Sequence, residues 1–230
     1  TPEGIDLEEL ERIFQSGRIK FFYTIPRFHY PLGHSYSRKE KEEIIRLARL
    51  YDVYIIEDDY LADFDSKREL TFHYLDDSQH VIYIKSFSTS LFPALRITAL
   101  LFPPAIQSTF IAYKKAVDYD SNLIMQKALS LYIDNLMFEK NRLSLLNQQE
   151  KELTRARKLL SQNQLKLSYF LNRDGILLDL RGLKSISSLK HSNLPLDFFE
   201  ASYIQDCPYQ YAKIKYGDLE KTLEHLNEYL

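Results

Sequence analysis

Tryptophan is absent, cysteine occurs once and glycine only six times in the 230 residues. The single cysteine, Cys207, excludes an intrachain disulfide and fits a reducing compartment, so a cytoplasmic location is expected. Neither sign of charge prevails. Lys+Arg is 30 and Asp+Glu is 32, a formal net charge of −2, whereas a surface built for nucleic acid carries a clear basic excess. No apolar run is long enough to span a bilayer and no signal peptide opens the chain, so no membrane partner is expected. A glycine-rich phosphate loop, a Cys/His metal spacing and a serine-centred elbow are all missing, so no metal site is expected. The six histidines are scattered, which suits surface roles. The initiator methionine is also missing: the chain opens Thr1-Pro2-Glu3-Gly4 and runs into a helix signal, as a piece of a longer protein would.

What is present is globular. Apolar residues make up 45% and charged residues 27%, which excludes wholesale disorder. Asp6 with Glu9 three residues on, and Leu7, Leu10, Ile13 and Phe14 on one face, predict a helix over 6–14. Residues 19–25 (Ile-Lys-Phe-Phe-Tyr-Thr-Ile) predict a buried strand that stops at Pro26. Ser37 and Glu40 form a capping box before helical spacing that continues to Leu50. Further strands are predicted over 53–56, 81–84 and 96–102, the second of these leading to Ser86 and the last closed by Pro103-Pro104. Residues 105–163 contain neither glycine nor proline and read as long helices. The stretch Lys140–Lys158 mixes both charges, as a solvated helix face does. A strand over 175–180, a helix over 196–204, a strand over 210–216 and a helix from Leu219 to Leu230 complete the pattern. Short apolar strands separated by helices indicate an α/β fold with a doubly wound sheet. In such sheets ligands bind at the carboxyl ends of strands, which singles out residues 27–33, 58–60 and 86–90.

The order of these segments is more specific than any one of them. Tyr23-Thr24-Ile25-Pro26-Arg27-Phe28-His29-Tyr30-Pro31-Leu32-Gly33 precedes the capped helix; Ile55-Ile56-Glu57-Asp58-Asp59-Tyr60 ends a strand; Ser86-Phe87-Ser88-Thr89-Ser90-Leu91-Phe92-Pro93-Ala94-Leu95-Arg96 follows. The series resembles fold-type I pyridoxal-phosphate aminotransferases, and most closely the aminotransferase-like domain of MocR-type regulators in the GntR family. The resemblance runs from about Pro2 to the C-terminus and is strongest over 19–103. It implies part of a large domain over 1–104 with a mainly parallel sheet, tethering helices over 105–163, and a small α+β domain over 164–230. A winged-helix DNA-binding domain would lie upstream, and any DNA contact would belong to it.

By the same resemblance, Asp58 matches the carboxylate that keeps the cofactor ring protonated, Tyr60 the tyrosine at its phenolic oxygen, and Ser86, Ser88 and Arg96 the groups that hold its phosphate. The departures decide the reading. The cofactor-bearing lysine is replaced by Thr89, and a hydroxyl forms no aldimine, so no catalytic residue and no covalently bound cofactor are expected; pyridoxal phosphate belongs to functional relatives. Lys85 is not expected to substitute. Tyr30 stands where the family has an asparagine and would intrude on the ring's space. Ala94 and Thr98 replace two glycines, and Lys213 or Lys215 stands where a substrate-binding arginine is expected. The chain is therefore read as an inactive effector-binding and dimerisation domain, a homodimer that holds a small anionic effector. The alternatives are a divergent pyridoxal-phosphate-dependent aminotransferase and a dimerisation module without a ligand.

Overall fold

The side chain of Asp6 accepts the Glu9 amide at 3.0 Å and opens α1 (Leu7–Gln15), whose Leu10 and Phe14 are buried. The computed structural model describes residues 3–118, 121–163, 165–181, 183, 186–199, 211–226 and 228–229. Internal packing divides them into two units. Glu3–Tyr30 and His34–Leu146 form the first; Pro31–Gly33 and Asn147 onward form the second.

In the first unit β1 (Phe21–Thr24), β2 (Tyr54–Asp58) and β3 (Val81–Ser86) are parallel neighbours, and β4 (Thr98–Leu101) pairs antiparallel with β3. Helix α2 (Arg38–Leu50) supplies the crossover from β1 to β2, as a parallel pair requires. Its capping box is complete: Glu40 N–H donates to Ser37 Oγ at 3.2 Å, and Ser37 N–H donates to the Glu40 carboxylate at 2.7 Å. Phe14, Ile44, Leu47, Val53, Ile55, Phe72 and Val81 form the core between helices and sheet; Phe72 opens the one-turn α3 (Phe72–Leu75). No crossover helix separates β3 from β4, and so short a return delivers an antiparallel neighbour. The expected strand over 96–102 is thus shorter, and Arg96 precedes it. The expectation of a buried strand over 19–25 is corrected in part: Phe21 and Tyr23 are exposed while Thr24 is buried, so β1 has one covered face.

Residues 105–163 are helical over α4 (Pro104–Asp118), α5 (Leu123–Asp134) and α6 (Met137–Asn163). The packing boundary falls inside α6, because Ala156 and Leu160 are buried in the core of the second unit. There β5 (Tyr169–Leu171), β6 (Gly175–Asp179) and β7 (Tyr211–Lys215) form an antiparallel sheet, with α7 (Ser187–Lys190) and α8 (Leu219–Leu226). Neither β5 nor α7 was expected, each being too short to show a period. The helix expected over 196–204 does not form in its described part: Asp197 makes an isolated bridge to Lys213 instead. Its remainder, like Cys207, Gln210 and Leu230, lies outside the described residues. Among the described residues no helix is long and apolar enough to cross a membrane, and no group of His, Cys, Asp and Glu is arranged to hold a metal ion.

Candidate functional site

Strand alternation and register bring most of the expected site residues to one edge. Asp58 closes β2 opposite Ile84, and Ser86 lies two residues beyond Ile84, so Asp58 and Ser86 share a face at the carboxyl end of the parallel strands. Ser86 also pairs with Thr98, which brings Arg96 to the same end. Asp58 is not bare. Tyr23 Oη donates to its carboxylate at 2.6 Å from the same face, and burial together with this bond pushes the phenol up, so that it stays a donor. Tyr60 is half-buried in the turn after β2.

The loop from Ser86 to Arg96 holds the rest. Ser88 N–H donates to Ser86 Oγ at 3.3 Å, and Ser88 is half-buried. Thr89 is exposed. Phe87, Leu91, Leu95 and Ile97 pack with Leu129 and Met125 and anchor the loop from beneath. Arg96 is exposed in a left-handed conformation (φ 50°), and its guanidinium makes no ion pair or hydrogen bond among the described residues. Backbone topology therefore gathers Asp58, Ser86, Ser88 and Arg96, while the side chain of Arg96 makes no hydrogen bond to the serines.

The opposite face of the same strands carries a buried ionic cluster that sequence reasoning missed. Arg27 donates to both carboxylate oxygens of Asp59, at 2.7 and 3.1 Å, and also to Asp65; all three are buried. Tyr83 Oη reaches Asp59 at 3.3 Å. The Glu57 carboxylate accepts the Phe72 and His73 amides at 2.8 and 2.9 Å, yet complete burial outweighs these bonds, and with Asp59 nearby it is pushed up to about 7. Lys41, also buried, donates to the Leu70 carbonyl at 2.6 Å; burial, and then the Arg27 charge, pull its amine down. A signal was available in the run Glu57-Asp58-Asp59. Period-two alternation sends Glu57 and Asp59 to the face of buried Ile55 and Asp58 to the other.

The same alternation decides whether the site fits a covalently held pyridoxal phosphate. Lys85 lies one residue before Ser86 and projects to the ionic face, where its amine pairs with Asp63 at 2.5 Å and both side chains are nearly enclosed. Thr89 has no amine. The residues at this edge do not fit an imine-linked cofactor. Tyr30 is 47% exposed rather than enclosed in a crevice. In the second unit Gly33 adopts φ 79°, and a Cβ there would run into the Asn172 side chain, which donates to the Leu32 carbonyl at 3.2 Å. Lys213 is buried with its amine on Asp174 at 2.5 Å, and Lys215 is exposed.

No protein-family model matches the chain. It is 36% identical over 248 residues to the HTH-type transcriptional regulator YcxD of Bacillus subtilis, covering 100% of this chain and 56% of the relative. The chain thus spans little more than half of that protein. Among solved structures, it superposes on the kynurenine aminotransferase of Pyrococcus horikoshii with a TM-score of 0.85 at 21% identity, covering 100% of this chain and 61% of that one. Cystalysin of Treponema denticola, which contains a pyridoxal 5'-phosphate cofactor, matches with a TM-score of 0.75 at 16% identity over 98% of this chain and 61% of its own. At these identities the structural matches speak to the fold.

Proposed function

We propose, from homologues that are HTH-type transcriptional regulators and a fold that is aminotransferase-like, that this chain is the catalytically inactive effector-binding and dimerisation part of a GntR/MocR-type regulator. One observation carries this reading of lost catalysis: among the described residues, the edge that gathers Asp58, Ser86 and Arg96 has no amine. Thr89 stands in the loop, and the nearest lysine in the chain, Lys85, is held on the other face by Asp63. Without that amine neither imine formation nor α-proton transfer has a group to perform it. The effector is a small anion held by charge-assisted hydrogen bonds from Ser86, Ser88 and Arg96, and Asp58, already engaged by Tyr23, limits the charge the edge accepts. DNA contact belongs to a winged-helix segment of the full-length regulator.

The test is incubation with pyridoxal phosphate followed by borohydride and peptide mapping. No imine absorbance and no adduct at residues 85–96 are expected; an adduct on Lys85 rejects the reading. Calorimetry with inorganic phosphate tests the anion site, and equal affinity in the parent chain and Arg96→Ala rejects it.

A further inference from the structure

A second binding place lies in the first unit, lined by other residues of the loop that carries Ser88 and Arg96. The loop after Thr89 and the helices α5 and α6 line a half-open cavity of about 200 Å³. Leu95, Leu129, Phe92 and Met125 form its walls, and Tyr132 and Asn141 are its polar lining. None of the lining residues is charged, so a charged occupant would lose its hydration without a partner. An apolar cavity of about 150 Å³ suffices for benzene, so this one has room for a small fused ring. Met125 adds a polarizable thioether, and sulfur packs favourably against aromatic rings.

The polar lining is incomplete in a particular way. The Asn141 amide N–H donates to the Ser90 carbonyl at 2.7 Å, which fixes the side chain against the loop. Among the described residues its amide oxygen makes no hydrogen bond, and neither does the Tyr132 hydroxyl; both atoms are open to solvent. A carboxamide oriented by its nitrogen leaves its oxygen free to accept from an occupant's donor in place of water. The geometry points to a site for a neutral, flat aromatic molecule carrying one N–H or O–H donor, of the size of indole or a phenol. Leu91, Phe92 and Leu95, which line the cavity, belong to the same loop as Thr89 and Arg96. An occupant therefore bears directly on the segment that presents Arg96. The inference stands whether or not the edge above binds an anion.

The probe is indole, titrated calorimetrically into the 230-residue chain, with indole-3-acetate as a charged control of similar shape. Saturable binding of indole is expected, at least tenfold tighter than that of the acetate. Ala128 lines the cavity from an exposed position on α5, so Ala128→Phe fills the space without disturbing the core. That variant is expected to lower indole affinity at least tenfold while its circular dichroism stays that of the parent, and Ala128→Leu to fall between. Absence of saturable indole binding to the folded chain, or equal affinity in the parent and Ala128→Phe, overturns the proposal. Phosphate affinity, measured in separate samples free of indole, reports on the anion edge.

Discussion

Arg27 ties together buried charges of the first unit. Its guanidinium neutralises two buried carboxylates, Asp59 and Asp65, and its remaining N–H reaches the Glu69 carbonyl at 3.3 Å. Removing one partner from a buried ionic set leaves the others charged and dry, so Arg27→Ala is expected to lower stability by about 3–5 kcal/mol. The midpoint of urea unfolding measures it, and an unchanged midpoint refutes it. Glu57 sets a pH dependence of the opposite kind from an ordinary salt-bridged carboxylate. Unfolded, it titrates near 4.5; folded, near 7. Between these values the native state holds the proton and the unfolded state has lost it, so stability falls as pH rises through the window, by at most about 3 kcal/mol. Glu57→Gln is expected to flatten the slope of unfolding free energy against pH from about 4.5 to 7. Asp59, also raised by burial, leaves a smaller residual slope at the acid end.

Among the elements, α2 offers the cleanest local test. Its capping box satisfies two backbone donors reciprocally, and Ser37 is exposed enough that its replacement leaves no cavity. Ser37→Ala is expected to cost about 1 kcal/mol in thermal unfolding, and a loss under a few tenths would mean that tertiary packing alone holds the helix. This box was legible in the sequence because its signal is confined to four residues, as was the Asp6 cap. The strands were legible as apolar runs, and their order predicted that Asp58, Ser86 and Arg96 meet at one edge. Orientation was the harder part. The run Glu57-Asp58-Asp59 does not say which carboxylate is buried until a strand fixes its phase, so the pairing with Arg27 went unread. Arg96 in a left-handed conformation was illegible for a different reason: a non-glycine residue there is set by the turn around it rather than by its own preference. The short β5 and α7 carry too few residues for any period to emerge.

At the scale of the whole chain, α4 and α5 leave large apolar side chains in water. Val117 is 83% and Ile124 76% exposed, and Tyr113 and Leu123 are exposed beside them in sequence. Clustered apolar exposure is a mark of association faces, and the proposed function would place dimerisation there. Sedimentation velocity is expected to show a dimer in the parent chain and a monomer in Val117→Glu/Ile124→Glu; a parent chain that sediments as a monomer counts against the face. The sheet order has a consequence in time as well as in space. Thr24 meets Glu57 only after a whole helix has been threaded between them, whereas Ser86 meets Thr98 across a loop of about a dozen residues. Local pairings close before distant ones. The segment that presents Ser86, Ser88 and Arg96 is therefore expected to gather early in folding, with β1 and the Arg27 that follows it joining last. A refolding chain would thus build the loop over 86–96 before the charges beneath the sheet are neutralised.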